Sequence, residues 1–201
     1  VISFVALIEA GFRDEFAARL LDERLWGTGV GEFLGAMKSP CLVTVPKEGT
    51  QGADTILGVN IQKMRQRAWR YGNCVWIANH DTYDQLSTAH LSGTHGDVFL
   101  FSPGNGIDVP ATLLGRPIIV TEACATLGTE GDVILADLSK YLSAVKGALK
   151  SDTSIHLWFD QNTTAFRFVM RMNGQPWLSA PIARKNGSNT LSHFITCAVR
   201  A

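Results

Sequence analysis

Three sets of residues in this chain have side chains or backbone that could do chemistry: a glycine-rich loop, Gly27-Thr28-Gly29-Val30-Gly31, five histidines and four cysteines. A dinucleotide-binding loop needs a strand before its first glycine, a helix after it and a third glycine at a fixed offset, because the pyrophosphate sits on the helix N-terminus. Here a helical pattern comes first and Glu32 occupies the place of the third glycine, so the loop reads as a helix terminator. His80, His90, His95, His156 and His193 show none of the short spacings by which one element presents two metal ligands, and they read as surface or loop residues. Cys41, Cys74, Cys124 and Cys197 form no C-x-x-C pair, and no G-x-S-x-G serine is present. Cys74 lies inside an apolar run, where a thiol is inert packing. Arg167 and Arg171 recur on one side of an alternating pattern and could hold a phosphate or carboxylate, or meet acids on a neighbouring strand or subunit. The expectation is no catalytic residue, no cofactor and no metal. Triads are assembled in space, so one enzyme alternative stays open: a small cytosolic enzyme using His80, His90 or His95 with Asp81 or Asp97.

Composition narrows the classes further. Eighteen basic and eighteen acidic side chains cancel, which disfavours a protein whose main task is gripping duplex nucleic acid and lets copies of the chain approach without long-range repulsion. The cysteine usage fits a reducing compartment. No apolar run approaches a membrane span, and no signal peptide precedes the first element. The chain opens at Val1, without an initiator Met and inside a helical pattern, which predicts a processed or truncated piece of a longer protein.

The elements follow from periodicity. Val5, Ile8, Phe12, Phe16 and Leu20 recur every three or four residues and predict an amphipathic helix that continues to Trp26, about 39 Å if helical from Val1. Cys41 to Val45 reads as a strand between turns. A second helix is expected over Asp54 to Tyr71, with Leu57, Ile61, Met64, Ala68 and Tyr71 on one stripe. Asn73 to Ala78 reads as a buried strand, and Asp81 as the cap of a third helix with Tyr83 and Leu86 inward. Further strands are expected at Asp97 to Phe101, Thr112 to Thr121, Val133 to Ala136, Ala165 to Asn173 and His193 to Val199. Leu138 to Val145 fits strand or helix. In Ala165 to Asn173, Phe166, Phe168, Met170 and Met172 alternate with two arginines, which predicts one fully apolar face. Gly115 and Pro117 break the Thr112 to Thr121 run, which implies an edge or bulged strand.

Taken in order, these pieces resemble the tailed-phage major capsid proteins, the family with the Hong Kong 97-type fold, over essentially the whole chain. Leu113-Leu114-Gly115-Arg116-Pro117-Ile118-Ile119-Val120-Thr121 is similar to a family segment reading Leu-Gly-x-Pro-Val and then threonine, with Gly115 relaxing and Pro117 fixing a long bent strand. The opening helix resembles the end of the family's spine helix, and Gly27-Thr28-Gly29 with Phe33-Leu34-Gly35 the turn after it. Asp54 to Tyr71 and Trp76 to Tyr83 resemble axial-domain elements. Val133 to Tyr141 resembles a strand followed by an aspartate and an aromatic, and Phe159 to Trp177 the peripheral strand that supports the spine helix.

The resemblance implies an α+β Hong Kong 97-like fold with a long spine helix and discontinuous domains. Residues 1–51 would hold the end of the spine helix and a peripheral segment, residues 52–136 the axial domain, and residues 137–201 the peripheral strands and the return to the C-terminus. It implies a phage or prophage major capsid (head) protein, not an enzyme, which self-assembles into pentamers and hexamers of an icosahedral shell around the genome. Partners would be copies of itself, scaffold, protease and portal proteins, and DNA through nonspecific contact with a near-neutral wall, with no membrane. The location would be the virion, after assembly in the bacterial host cytoplasm. Trp26, Gly27, Gly29, Gly115, Arg116, Pro117, Arg167 and Arg171 are the assembly or hinge candidates. Two departures matter: the family's N-terminal arm and extended loop are missing from this sequence, and no glutamate follows Glu130, which predicts no autocatalytic isopeptide crosslink. A bacterial encapsulin, a shell that loads an enzyme cargo, is the alternative within the same fold.

Overall fold

Apolar periodicity at the start of the chain becomes one uninterrupted helix in the computed structural model, which describes residues 4–93, 96–104 and 111–200. This helix, α1 (Phe4–Trp26), has 23 residues and runs about 34 Å for a rise of 1.5 Å per residue. Residues 1–3 and the side chain of Val5 lie outside the described part. The expected stripe is present, but it does not face a core. Ile8, Phe16 and Leu20 are half-buried, Leu7, Phe12 and Leu21 are exposed, and only Leu25 in the last turn is buried. The 3.6-residue period records that a face is covered, not which molecule covers it.

Next come a 3₁₀ turn at Ala36–Lys38, β1 (Val43–Val45) and α2 (Gly58–Arg67). The second helix is shorter at both ends than Asp54 to Tyr71. Asp54 adopts φ +50°, and Asn60 accepts a hydrogen bond from the Leu57 N–H at 3.0 Å, which fixes the first turn at Gly58. At the other end Ala68 leaves helical geometry to form a bridge with Ser192, so a distant strand overrides a favourable local pattern. After β2 (Val75–Ala78), Asp81 does not cap the third helix: Asn79 caps a 3₁₀ turn ahead of it, its side chain accepting from the Asp81 N–H at 3.0 Å. A 3₁₀ turn at His80–Thr82 leads into α3 (Tyr83–Thr88), where Leu86 is buried but Tyr83 is exposed and meets Phe101 edge-on. β3 (His90–Gly93) pairs antiparallel with β4 (Gly96–Phe99); β4 covers most of the strand expected at Asp97 to Phe101, β3 stands where the sequence reads as loop, and His95 lies outside the described residues. The chain continues through β5 (Phe101–Ser102), β6 (Thr112–Leu113), β7 (Arg116–Val120), β8 (Val133–Ala136), a 3₁₀ turn at Leu138–Lys140, β9 (Tyr141–Val145), β10 (Lys150–Trp158), β11 (Thr163–Val169), β12 (Met172–Pro176) and β13 (Phe194–Cys197).

Seven strands make one mixed sheet in the order β1-β13-β8-β2-β7-β6-β5, parallel at β1–β13 and β2–β7 and antiparallel elsewhere. Its centre is covered on both faces. Trp76, Val133, Leu135 and Ile195 point into one apolar cluster with Ile61 and Met64 of α2. Ile77, Ile134, Ala136 and Phe194 point into another with Leu25, Ala36 and Met37. Burial on both sides is why β2, β8 and β13 read as continuous apolar runs rather than alternating ones. The architecture is therefore α+β.

The remaining strands leave this sheet. The stretch Ala165 to Asn173 is not one strand: it divides at Met170–Arg171 into β11, paired with β10, and β12, paired with β9. Together they form a two-stranded ribbon from Tyr141 to Pro176. Between Val145↔Met172 and Lys150↔Val169 four residues of one side oppose two of the other, and this bulge is what breaks the strand. Phe166, Phe168 and Met172 are half-buried rather than fully buried, because a two-stranded ribbon has no second layer of its own. β10 has every residue exposed and carries no run of apolar residues that would mark it in sequence.

Candidate assembly surface

The joint between α1 and the rest of the molecule is built from Trp26 to Gly35. Trp26 donates its Nε1–H to the Ala123 carbonyl at 2.7 Å, and its ring covers Gly131, which has φ +93° and no room for a side chain. Gly27 lies against the Phe33 carbonyl and Gly35 against the Leu25 carbonyl, so the chain reverses with backbone touching backbone, and the Gly35 N–H donates to Gly27 at 2.8 Å. Gly29, at φ +82°, donates to Phe33 at 2.9 Å. Glu32 accepts from the Thr28 N–H at 2.7 Å and from its hydroxyl at 2.8 Å, and these bonds hold its carboxyl below the usual range. The loop fills its own donors with its own carboxylate, so it offers no anion cradle.

That joint is tied to the ribbon. The Leu34 N–H donates to Gly174 at 2.9 Å, the Tyr141 hydroxyl donates to the Leu34 carbonyl at 3.0 Å, and further along α1 Phe12 stacks on Phe168 with centroids 4.3 Å apart. The helix thus meets the ribbon through an apolar stack, and the loop after the helix meets it through hydrogen bonds.

Gly115 and Pro117 do not bend a long strand. Leu114 (φ +50°) and Gly115 (φ +73°) are the two turn residues of a hairpin between β6 and β7, a geometry that needs positive φ twice. The parallel ladder with β2 runs from Trp76↔Ile118 to Ala78↔Val120 and leaves Pro117 outside it. Arg116 donates its Nε–H to the Cys74 carbonyl at 2.8 Å, which pins the hairpin across the end of β2. Between this hairpin and the end of α1 opens an apolar cavity of about 450 Å³ lined by Leu21, Leu25, Ile77, Ile119, Leu138 and Tyr141, with Arg24 as its one cation.

Arg167 and Arg171 are both exposed; Arg171 lies within the ribbon's bulge and Arg167 just beyond it, opposite Asp152 in the ladder. Sequence reasoning missed their companions Lys146 and Lys150, and the hairpin tip where Trp158 and Phe159 project, Phe159 being 77% exposed. It also missed the interior ion pair of Arg200 with Asp132, both fully buried; Asp132 accepts in addition from the Gly128 and Val133 N–H groups.

The histidines and cysteines are dispersed. His90 and Asp97 approach to 3.8 Å across β3 and β4, but both are largely exposed, and the hollow beside His90 is lined by no carboxylate. His193 is buried 3.4 Å from Asp137, which also accepts from Ser139, and burial pushes its pKa down. All four cysteines are buried, and burial pushes the thiols of Cys74 up to about 11 and of Cys124 and Cys197 to about 12, away from nucleophilic chemistry. Among the described residues no group of three or more His, Cys, Asp or Glu could hold a metal ion, and no helix is long and apolar enough to cross a membrane.

A family model described as the phage capsid family matches residues 1–186. No curated protein matches the sequence. Two solved structures share the fold: the capsid of an empty gene transfer agent particle at 15% identity and TM-score 0.66, and that of the native particle at 14% and 0.68. Each alignment covers 98% of this chain but only 67% and 66% of the respective capsid chains, so the sequence spans about two thirds of their length.

Proposed function

Because this chain belongs to the phage capsid family, as a phage-type major capsid protein that associates with copies of itself, we propose that α1 and the ribbon are the struts by which copies join into pentameric and hexameric capsomers of an icosahedral shell. The observation that carries this reading is the placement of apolar surface. The sheet closes its own core, whereas α1 and the hairpin tip expose Leu7, Leu21, Ile155, Leu157, Trp158 and Phe159. A group of such side chains at one tip gains stability when another molecule covers it. Heterologous contacts that close at five or six copies make rings, and many modest contacts acting together make the shell permanent.

In this reading α1 is the spine helix, residues 52–136 form the axial domain, and residues 1–51 and 137–201 form the peripheral domain. Trp26, Gly27 and Gly29 fix the angle at which the spine helix leaves the sheet. Gly115, Arg116 and Pro117 set the hairpin at the sheet's edge, and Arg167 and Arg171 mark the ribbon's bend. The protein acts mechanically, without a catalytic group. Scaffold, protease and portal proteins take part during assembly in the host cytoplasm, and the finished shell encloses DNA held without sequence preference. Electron microscopy of the full-length product expressed alone tests this: icosahedral particles are the expected result, and a stable monomer at high concentration overturns it.

A further inference from the structure

The formal neutrality of the chain conceals a division. Residues 1–136 carry ten basic and fifteen acidic side chains, net −5, and residues 137–201 carry eight and three, net +5. Part of this excess converges at the ribbon's bulge, where Lys146, Lys150, Arg167 and Arg171 line a cleft of about 390 Å³ together with Val169 and one acid, Asp152. None of the four cations makes an ion pair or a side-chain hydrogen bond among the described residues. The floor is small: Gly147 has φ +78° with open space where a Cβ would stand, so a ligand can come down to the backbone.

We propose that this cleft binds the phosphodiester backbone of nucleic acid without reading its sequence. Four like charges held close together repel one another, and a chain of phosphates neutralises all of them while releasing its own counterions. Arginine forks match phosphate oxygens in pairs, which suits Arg167 and Arg171. The competing partner is a set of carboxylates on a second copy: Asp22 and Glu23 are held by Arg19 and Glu48 by Lys63, whereas Asp81, Asp84 and Glu122 are exposed and make no ion pair among the described residues, so the test carries an arm for it. That the nucleic acid met by the cleft is packaged DNA rests on the capsid reading, whereas binding itself does not.

The test uses the full-length protein and a fluorescent duplex of scrambled sequence, titrated over a range of salt. Binding is expected to weaken with salt, with a log–log slope no steeper than about −3.6 for four phosphates. The double variant Lys146→Glu/Arg167→Glu should lower affinity at least tenfold and cut the slope by roughly 2. The milder Arg167→Gln/Arg171→Gln pair should shift both in the same direction, and Lys185→Glu, an exposed cation outside the cleft, should change neither. Inorganic phosphate should compete only at millimolar concentration; competition at the duplex's own concentration would make this a small-anion site and sink the proposal. A poly-glutamate peptide bound through the same four residues more tightly than DNA would assign the cleft to a neighbouring copy and also sink it. Micrographs of the same preparations separate the two readings. Particles whose DNA binding ignores the cleft variants overturn the cleft alone, and cleft-dependent binding without particles overturns the shell alone.

Discussion

The seven-stranded sheet and the two-stranded ribbon are made from the same alphabet but solve different problems. In β8 and β13 every residue is buried, and the sheet finds its apolar partners within the chain. In β10 every residue is exposed, and the ribbon keeps hydrogen-bonded geometry while leaving Ile155, Leu157 and Trp158 uncovered. A polypeptide that had to fold alone would not spend residues in this way, because uncovered apolar surface promotes association. The sheet closes its own core, and the ribbon together with α1 leaves open the apolar surface that the proposed function assigns to other copies.

Mutations should separate the two regions. The largest effect is expected in the interior, where Arg200→Ala leaves the Asp132 carboxylate buried without its cation and should cost about 3–5 kcal/mol in urea denaturation of the purified chain. Leu135→Ala, at the centre of the sheet, should cost about 2–5 kcal/mol through transfer and cavity terms. Gly131→Ala comes next. It forces a side chain into φ +93° and against the Trp26 ring, and should cost roughly 1–3 kcal/mol while loosening the joint of α1, visible as faster hydrogen exchange at the amides around Trp26.

A pH titration sharpens the contrast further. His193 faces Asp137, with Arg70 and Lys140 adding unfavourable positive charge, and burial holds its pKa below the ordinary 6.5. The unfolded chain therefore takes up this proton first as pH falls. The contribution to stability is fully present above about 6.5 and is lost as pH drops from there towards the lower folded-state value. His193→Gln should flatten that part of the stability–pH curve, and a curve unchanged by the substitution would contradict the assignment. The smallest effect on stability belongs to the ribbon tip. Phe159→Ser should alter the unfolding free energy by less than about 0.5 kcal/mol, yet it should lower the yield of particles in electron micrographs. Equal losses in both assays would erase the distinction between the two regions.

Much of the sheet was legible because burial on both faces leaves a local mark. Val133 to Ala136 is a strand with the bounds its apolar run predicts, and the cores of Asn73 to Ala78 and His193 to Val199 are strands. The ribbon was half legible. Phe166 and Phe168 announced β11, but the bulge that ends it depends on four residues facing two across a pairing, which no single strand records. The hairpin at Leu114–Gly115 was misread as a bend because a positive φ at Leu114 is not the habit of leucine. Of the surface candidates, Arg167 and Arg171 were visible as an alternating pair, whereas Lys146 and Lys150 join them only through the fold.

The sequence by itself determined that the first 26 residues carry a helix, which runs are buried strands, and which family the chain resembles, because each of these is written in neighbouring residues. Only the tertiary structure decided that the apolar stripe of α1 is no more than half-covered, that Ala68 leaves its helix for Ser192, and that four cations share one cleft. Those outcomes come from partners far apart in the chain, and a local pattern can state that a face is apolar or charged without stating what it will meet.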